Sequence, residues 1–208
     1  MNFALRHPAE IAWRLLEHVE LTAVALAVAF AIALPLGVVV ARRARTGAVV
    51  LGVLNTIYTL PSLAVFALLI PWLGIGTVTA LVALVAYSQM ILVRNVAAGL
   101  RGVPLATREA ARGLGMTPWQ SFRRVELPQA WPVILGGVRI ATVALISLAT
   151  LAAWINAGGL GVLILYGLEH DDPARAVTGS VLAAGLAIVA NFALAALQRR
   201  LAVPAPSR

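Results

Sequence analysis

Long blocks of apolar residues alternate with short polar interruptions along this chain. Residues 1–20 mix Arg6, His7, Glu10, Arg14, Glu17, His18 and Glu20 with Ile11, Trp13, Leu15 and Leu16, which predicts an amphipathic helix near a membrane interface. They lack the basic end, apolar run and cleavage site, in that order, of a signal peptide. Leu21 to Ala41 is uncharged and long enough to cross a hydrocarbon core of roughly 30 Å, so it is the first predicted span. Ala23, Ala27 and Ala31 set small residues on one face, as close helix packing requires. Arg42, Arg43 and Arg45 end it.

From Thr46 to Val93 the only ionisable side chains are Tyr58 and Tyr87, and the segment is too long for one crossing. Pro71, Gly74 and Gly76 supply a turn, dividing it into a second span over 49–70 and a third over 77–93. Pro61 interrupts the second beside Asn55, Thr56, Tyr58, Thr59 and Ser62, which predicts a kink facing protein or a cavity. Residues 129–154 form a fourth span with Arg139 embedded in it. After Asn156-Ala157-Gly158-Gly159-Leu160-Gly161 and the acidic Glu169, Asp171 and Asp172, residues 176–198 form a fifth. A short frayed tail is expected from Leu201.

The long polar island is Arg101–Pro128, between spans three and four. Pro104 suits the start of a helix that runs to Leu114, with Gly115 as its left-handed C-cap. Thr117, Pro118 and Gln120 make a capping box with proline at the first helical position, so a second helix starts there. Leu127-Pro128 is expected to close it, because a residue before proline is pushed out of helical angles.

The chain has 208 residues, 61% of them hydrophobic and 12% charged, and no cysteine, which describes a single all-α polytopic membrane domain with no disulfide framework or thiolate metal site. The net charge of +8 is carried by arginine alone. Five spans place twelve of the sixteen arginines on one side and only Arg6, Arg14 and Arg175 on the other, with Arg139 left in the membrane. That asymmetry puts the island and the C-terminus in the cytoplasm and the N-terminus outside. Nucleic acid is excluded as a partner because spans flank the island.

Chemistry is narrowed mainly by what is missing. His7, His18 and His170 fall outside the predicted spans and no G-x-S-x-G occurs, which excludes intramembrane hydrolysis. Scattered acids and histidines exclude a metal centre. Without lysine there is no nucleotide-binding P-loop, so the chain is not itself an ATPase. The island, with Leu105, Leu114, Met116, Trp119, Phe122 and Val125 among its charges, fits either an apolar groove on a partner or a helix pair lying on lipid headgroups. Its residues alone leave both readings open.

The island resembles the hallmark of the permease subunits of bacterial ABC importers: E-A-A, three residues, G, nine residues, I-x-L-P. Here it stands as Glu109-Ala110-Ala111, Gly115 and Val125-Glu126-Leu127-Pro128, with valine in place of isoleucine. Thr59–Ala64, Ile70–Gly76, Arg94-Asn95, Gly99–Val103 and Ala157–Gly161 are similar to the osmoprotectant branch of that family, which imports glycine betaine, choline, carnitine and related quaternary ammonium compounds. Asn156 departs from that branch, where glycine is expected.

The resemblance implies the five-span permease core, with methionine-importer-like topology, in the bacterial inner membrane. It implies cytoplasmic coupling helices over 101–128, with Glu109, Ala110, Ala111, Gly115, Thr117, Val125, Leu127 and Pro128 meeting a separate ATP-binding subunit. ATP and magnesium then belong to that partner, and this chain binds no cofactor. A second permease subunit, identical or sister, and a separate substrate-binding protein complete the expected assembly, with membrane lipid around it. Tyr58, Ser62, Tyr87, Ser88, Gln89, Ser147 and Asn156, polar residues in apolar surroundings, are nominated to line the path. The bland alternative is hydrogen bonding between packed spans. Arg139 is assigned to packing near the cytoplasmic gate. The competing functions are import of another solute, such as an amino acid or sulfonate, and a self-contained channel.

Overall fold

The computed structural model describes residues 2–201, and among these it is helical almost throughout, with no strand. The order is α1 (Asn2–Arg6), α2 (Pro8–Arg42), α3 (Ala44–Thr59), α4 (Ser62–Leu73), α5 (Thr77–Arg101), α6 (Leu105–Gly113) and α7 (Pro118–Ser121). A π-helical turn (Phe122–Glu126), α8 (Leu127–Leu151), a 3-10 turn (Ala152–Ile155), α9 (Gly161–Glu169) and α10 (Pro173–Leu201) complete it. The frayed tail expected after Leu201 lies outside the described residues.

α2, α5, the run Pro118–Ile155 and α10 are each long and apolar enough to cross a membrane, and α3 with α4 makes a fifth crossing if the two count as one broken span. The second span is therefore broken, at 99°, where a kink was expected. Leu60 sits extended at φ −67, ψ 143, the region into which the following proline forces it.

Four expectations need correction. Residues 8–20 are no separate helix, because α2 continues unbroken from Pro8 to Arg42. They pack against the other end of the chain: Arg175 pairs with Glu10 and lies over the rings of Phe3 and Tyr166, while Ile11 and Leu15 join Leu160, Leu163 and Ala183 in a cluster. The small face of α2 that packs is Ala25, Ala29, Ala33 and Gly37, whereas Ala23, Ala27 and Ala31 are exposed. α5 runs to Arg101, past the expected end at 93, because Val96, Ala97 and Leu100 continue its buried seam. Leu127-Pro128 does not close a helix: Leu127 is helical at φ −64, ψ −45, and α7 passes through the π-turn into α8. The π-turn's Leu127 N–H to Phe122 carbonyl bond widens the ladder just before Pro128, where a regular turn would set the ring against a carbonyl.

α5 is the central element, packed against α2 on one side and α8 on the other. Small residues let the backbones approach: a Cβ on Gly37 would overlap Val96, and one on Gly137 would overlap Asn95. Without a hydrophobic drive between helices in lipid, such close van der Waals contact supplies much of the association. Gly137→Ala should therefore destabilise the purified protein by roughly 1–3 kcal/mol through overpacking. Gly52→Ala, with open space around the new methyl, should leave thermal unfolding unchanged or slightly later. Equal midpoints for the two variants would contradict this packing.

Candidate functional site

Five of the seven polar residues nominated for a path meet around one cavity of about 380 Å³: Tyr58, Ser62, Tyr87, Ser88 and Ser147, with Leu60, Ile91, Ala144, Leu145 and Leu148 as apolar walls. The break between α3 and α4 opens beside it. At Leu60-Pro61 the backbone leaves the helix, and the Tyr87 hydroxyl donates to the Leu60 carbonyl at 2.6 Å, tying the break to α5. The rings of Tyr58 and Tyr87 stand edge to face, with centroids 6.3 Å apart and planes at 65°. Ser88 donates to the Leu84 and Val85 carbonyls, and Ser147 to that of Val143.

Gln89 and Asn156 are not in this cavity. Gln89 is buried and donates to the Ala29 carbonyl at 3.1 Å, joining α5 to α2 in the interhelical role weighed against the path. Asn156 caps the 3-10 turn at φ 58, a left-handed angle that asparagine tolerates better than other non-glycine residues. That explains how it stands where glycine was expected. Arg139 reaches Gln198 at 3.5 Å between α8 and α10, away from the cavity.

The island folds as the two expected short helices. α6 ends at Gly113, Gly115 has φ +73, and the capping box of Thr117 with Gln120 forms at the start of α7. A Cβ on Gly115 would meet nothing within 4 Å, so glycine is needed there for its angle and not for space. Arginines tie these helix ends together. Arg101 donates to the Val40 carbonyl at 2.6 Å and Arg108 to that of Leu100, satisfying C-terminal carbonyls of α2 and α5. Arg42 pairs with Glu126 at 3.4 Å and lies 5.5 Å from the Phe122 ring. Ala111 is buried. Leu105, Leu114 and Trp119 are 65%, 78% and 65% exposed, and Glu109 forms no ion pair among the described residues.

At the other end of the bundle the glycine-rich loop locks onto α2, a contact that the sequence reading missed. Glu17 accepts from the Gly159 N–H at 2.9 Å, and His18 Nδ1 accepts from the Leu160 N–H at 3.3 Å. Because Nδ1 accepts, the proton sits on Nε2, which donates to the Ile146 carbonyl at 3.1 Å. His18 is fully buried. Gly158 and Gly159 have φ +81 and +79, and a Cβ on either would come within 2.8 Å of Glu17 or His18. The only sequence signal was a histidine one turn before an apolar block.

A family model described as "Binding-protein-dependent transport system inner membrane component" matches residues 33–203. The choline transport system permease protein OpuBB of Bacillus subtilis is 41% identical over 201 residues, 97% of this chain and 93% of that protein. The osmoprotectant import permease protein OsmW of Salmonella typhimurium is 39% identical over 203 residues, 95% of this chain and 94% of its own length. Among solved structures, an inward facing form of the MetNI methionine ABC transporter superposes with a TM-score of 0.86 at 26% identity, covering 94% of this chain and 98% of that one.

The loop contact makes a stability prediction. His18→Leu removes the acceptor for a buried N–H and should cost about 2 kcal/mol, read as earlier thermal unfolding and faster proteolysis within residues 156–160. Unchanged protease resistance would contradict the contact.

Proposed function

Because the chain belongs to the binding-protein-dependent transport system inner membrane components, we propose that it is the membrane-spanning subunit of an ATP-driven importer of small quaternary ammonium osmoprotectants such as choline, glycine betaine or carnitine. The observation that carries the reading is likeness along nearly the whole chain to a choline permease at 41% identity, against 26% to the methionine transporter. Methionine or another amino acid is the weaker cargo on that ground.

The α6–α7 pair is the docking element for a separate ATPase. Its exposed Leu105, Leu114 and Trp119 suit an apolar cleft, and Glu109, which forms no ion pair among the described residues, is available to a cation on the partner. ATP and magnesium act in that partner. Arg108 joins α6 to the end of α5, and Arg42 of α2 pairs with Glu126 in the π-turn, so displacement of the pair is passed to α5, whose Tyr87 and Ser88 line the cavity. Two permease subunits, identical or sister, enclose the path, which runs past Tyr58, Ser62, Tyr87, Ser88 and Ser147. The arginine asymmetry sets the pair in the cytoplasm, and a binding protein delivers solute at the opposite end.

Gly115→Arg tests the docking. A Cβ there meets nothing within 4 Å, so insertion should hold, while the left-handed angle costs roughly 1–2 kcal/mol and lowers the unfolding midpoint by only a few degrees. Co-purification of the ATPase and uptake of labelled choline should fall about tenfold or more. Wild-type uptake in the variant would refute the coupling role.

A further inference from the structure

Three of the five hydroxyls around the 380 Å³ cavity share a feature that their identities alone do not reveal. A hydroxyl carries one proton and two lone pairs. Tyr87, Ser88 and Ser147 have each committed that proton to a backbone carbonyl, so they turn only lone pairs toward the cavity. No charged side chain among the described residues lines it. Two tyrosine rings form adjoining walls, close to perpendicular, and aromatic faces carry negative quadrupole potential. The cavity lies within the roughly 300–1,000 Å³ typical of small-molecule sites.

Such a lining offers an anion no cationic partner, while its acceptor oxygens, aromatic rings and apolar walls suit a diffuse cation that needs no directed hydrogen bond. We infer that this cavity is a binding subsite for a quaternary ammonium head group within the permease itself, with the rings of Tyr58 and Tyr87 as cation–π walls. The inference rests on the cargo reading above and deepens it: the membrane subunit selects for the cation in addition to any selection by a binding protein. The Tyr87 bond to Leu60 also joins the subsite to the α3–α4 break, so occupancy and the angle of that break are mechanically linked.

The test uses the full-length protein in lipid nanodiscs without a binding protein, with saturation transfer to the methyl protons of tetramethylammonium as readout. Choline should displace the probe, and neopentyl alcohol, a neutral molecule of similar shape, should not. Tyr58→Leu should weaken apparent affinity about tenfold, while Tyr58→Phe, which keeps the ring, should stay within about twofold. Tyr58 makes no hydrogen bond among the described residues and is 45% exposed, so its replacement leaves the fold intact; Tyr87→Leu is the second variant and should weaken binding similarly. Wild-type affinity in both leucine variants, or equal displacement by neopentyl alcohol, would overturn the subsite. If cells expressing the wild type with its partners take up no choline, glycine betaine or carnitine while probe binding still depends on Tyr58, the cargo reading fails and the subsite stands. If uptake holds and Tyr58→Leu binds and transports normally, the subsite fails and the cargo reading stands.

Discussion

Hydrocarbon offers no water to a bare carbonyl or amide, so a membrane chain must satisfy every backbone group from within. At several places where this chain leaves the helix, a particular side chain answers that constraint. Tyr87 takes the Leu60 carbonyl at the α3–α4 break, and Thr79 takes that of Gly74 at 2.5 Å before α5. Arg101 and Arg108 take carbonyls at the ends of α2 and α5, and Glu17 and His18 receive the amides of Gly159 and Leu160. The functional geography follows from these repairs. The broken span borders the cavity, the arginine-anchored ends carry the exposed helix pair, and the glycine loop closes the opposite end.

The two ends are not equivalent. At one, α6 and α7 present an exposed apolar face; at the other, α1, the start of α2, α9 and α10 are bound together by Arg175, Glu10 and a small apolar cluster. Between them α5 touches both, since its buried residues run from Thr79 to Leu100 with Tyr87 facing the cavity on the way. A shift of the helix pair thus has a rigid element through which to reach the polar lining. The π-turn that joins α7 to α8 serves the same end, keeping the pair continuous with α8 despite Pro128.

Much of this was legible in the residues. Uncharged block lengths marked five crossings, and the Gly115 cap and the Thr117 capping box defined the first island helix and the start of the second to within a residue or two. Five of seven path nominees share a cavity, because a polar side chain in an apolar block has few places to go. What was not legible depends on partners distant in sequence. Which alanine face of α2 packs is decided by α5, and the 35-residue length of α2 by its docking on α9 and α10. His18 looked like an interfacial residue because its partners, Ile146 and Leu160, lie more than a hundred positions away. Pro128 failed as a stop signal because a π-turn can absorb a proline that a regular turn cannot.

ATP-driven import through a docked helix pair is the central claim, and one reconstitution tests it directly. Proteoliposomes holding the permease and its ATPase, supplied with the binding protein and labelled choline outside and with ATP where the ATPase faces it, should accumulate choline above the external concentration. Accumulation should stop when the ATPase is left out. Choline flux that persists without the ATPase and only runs down its gradient would contradict the account and leave a self-contained channel in its place.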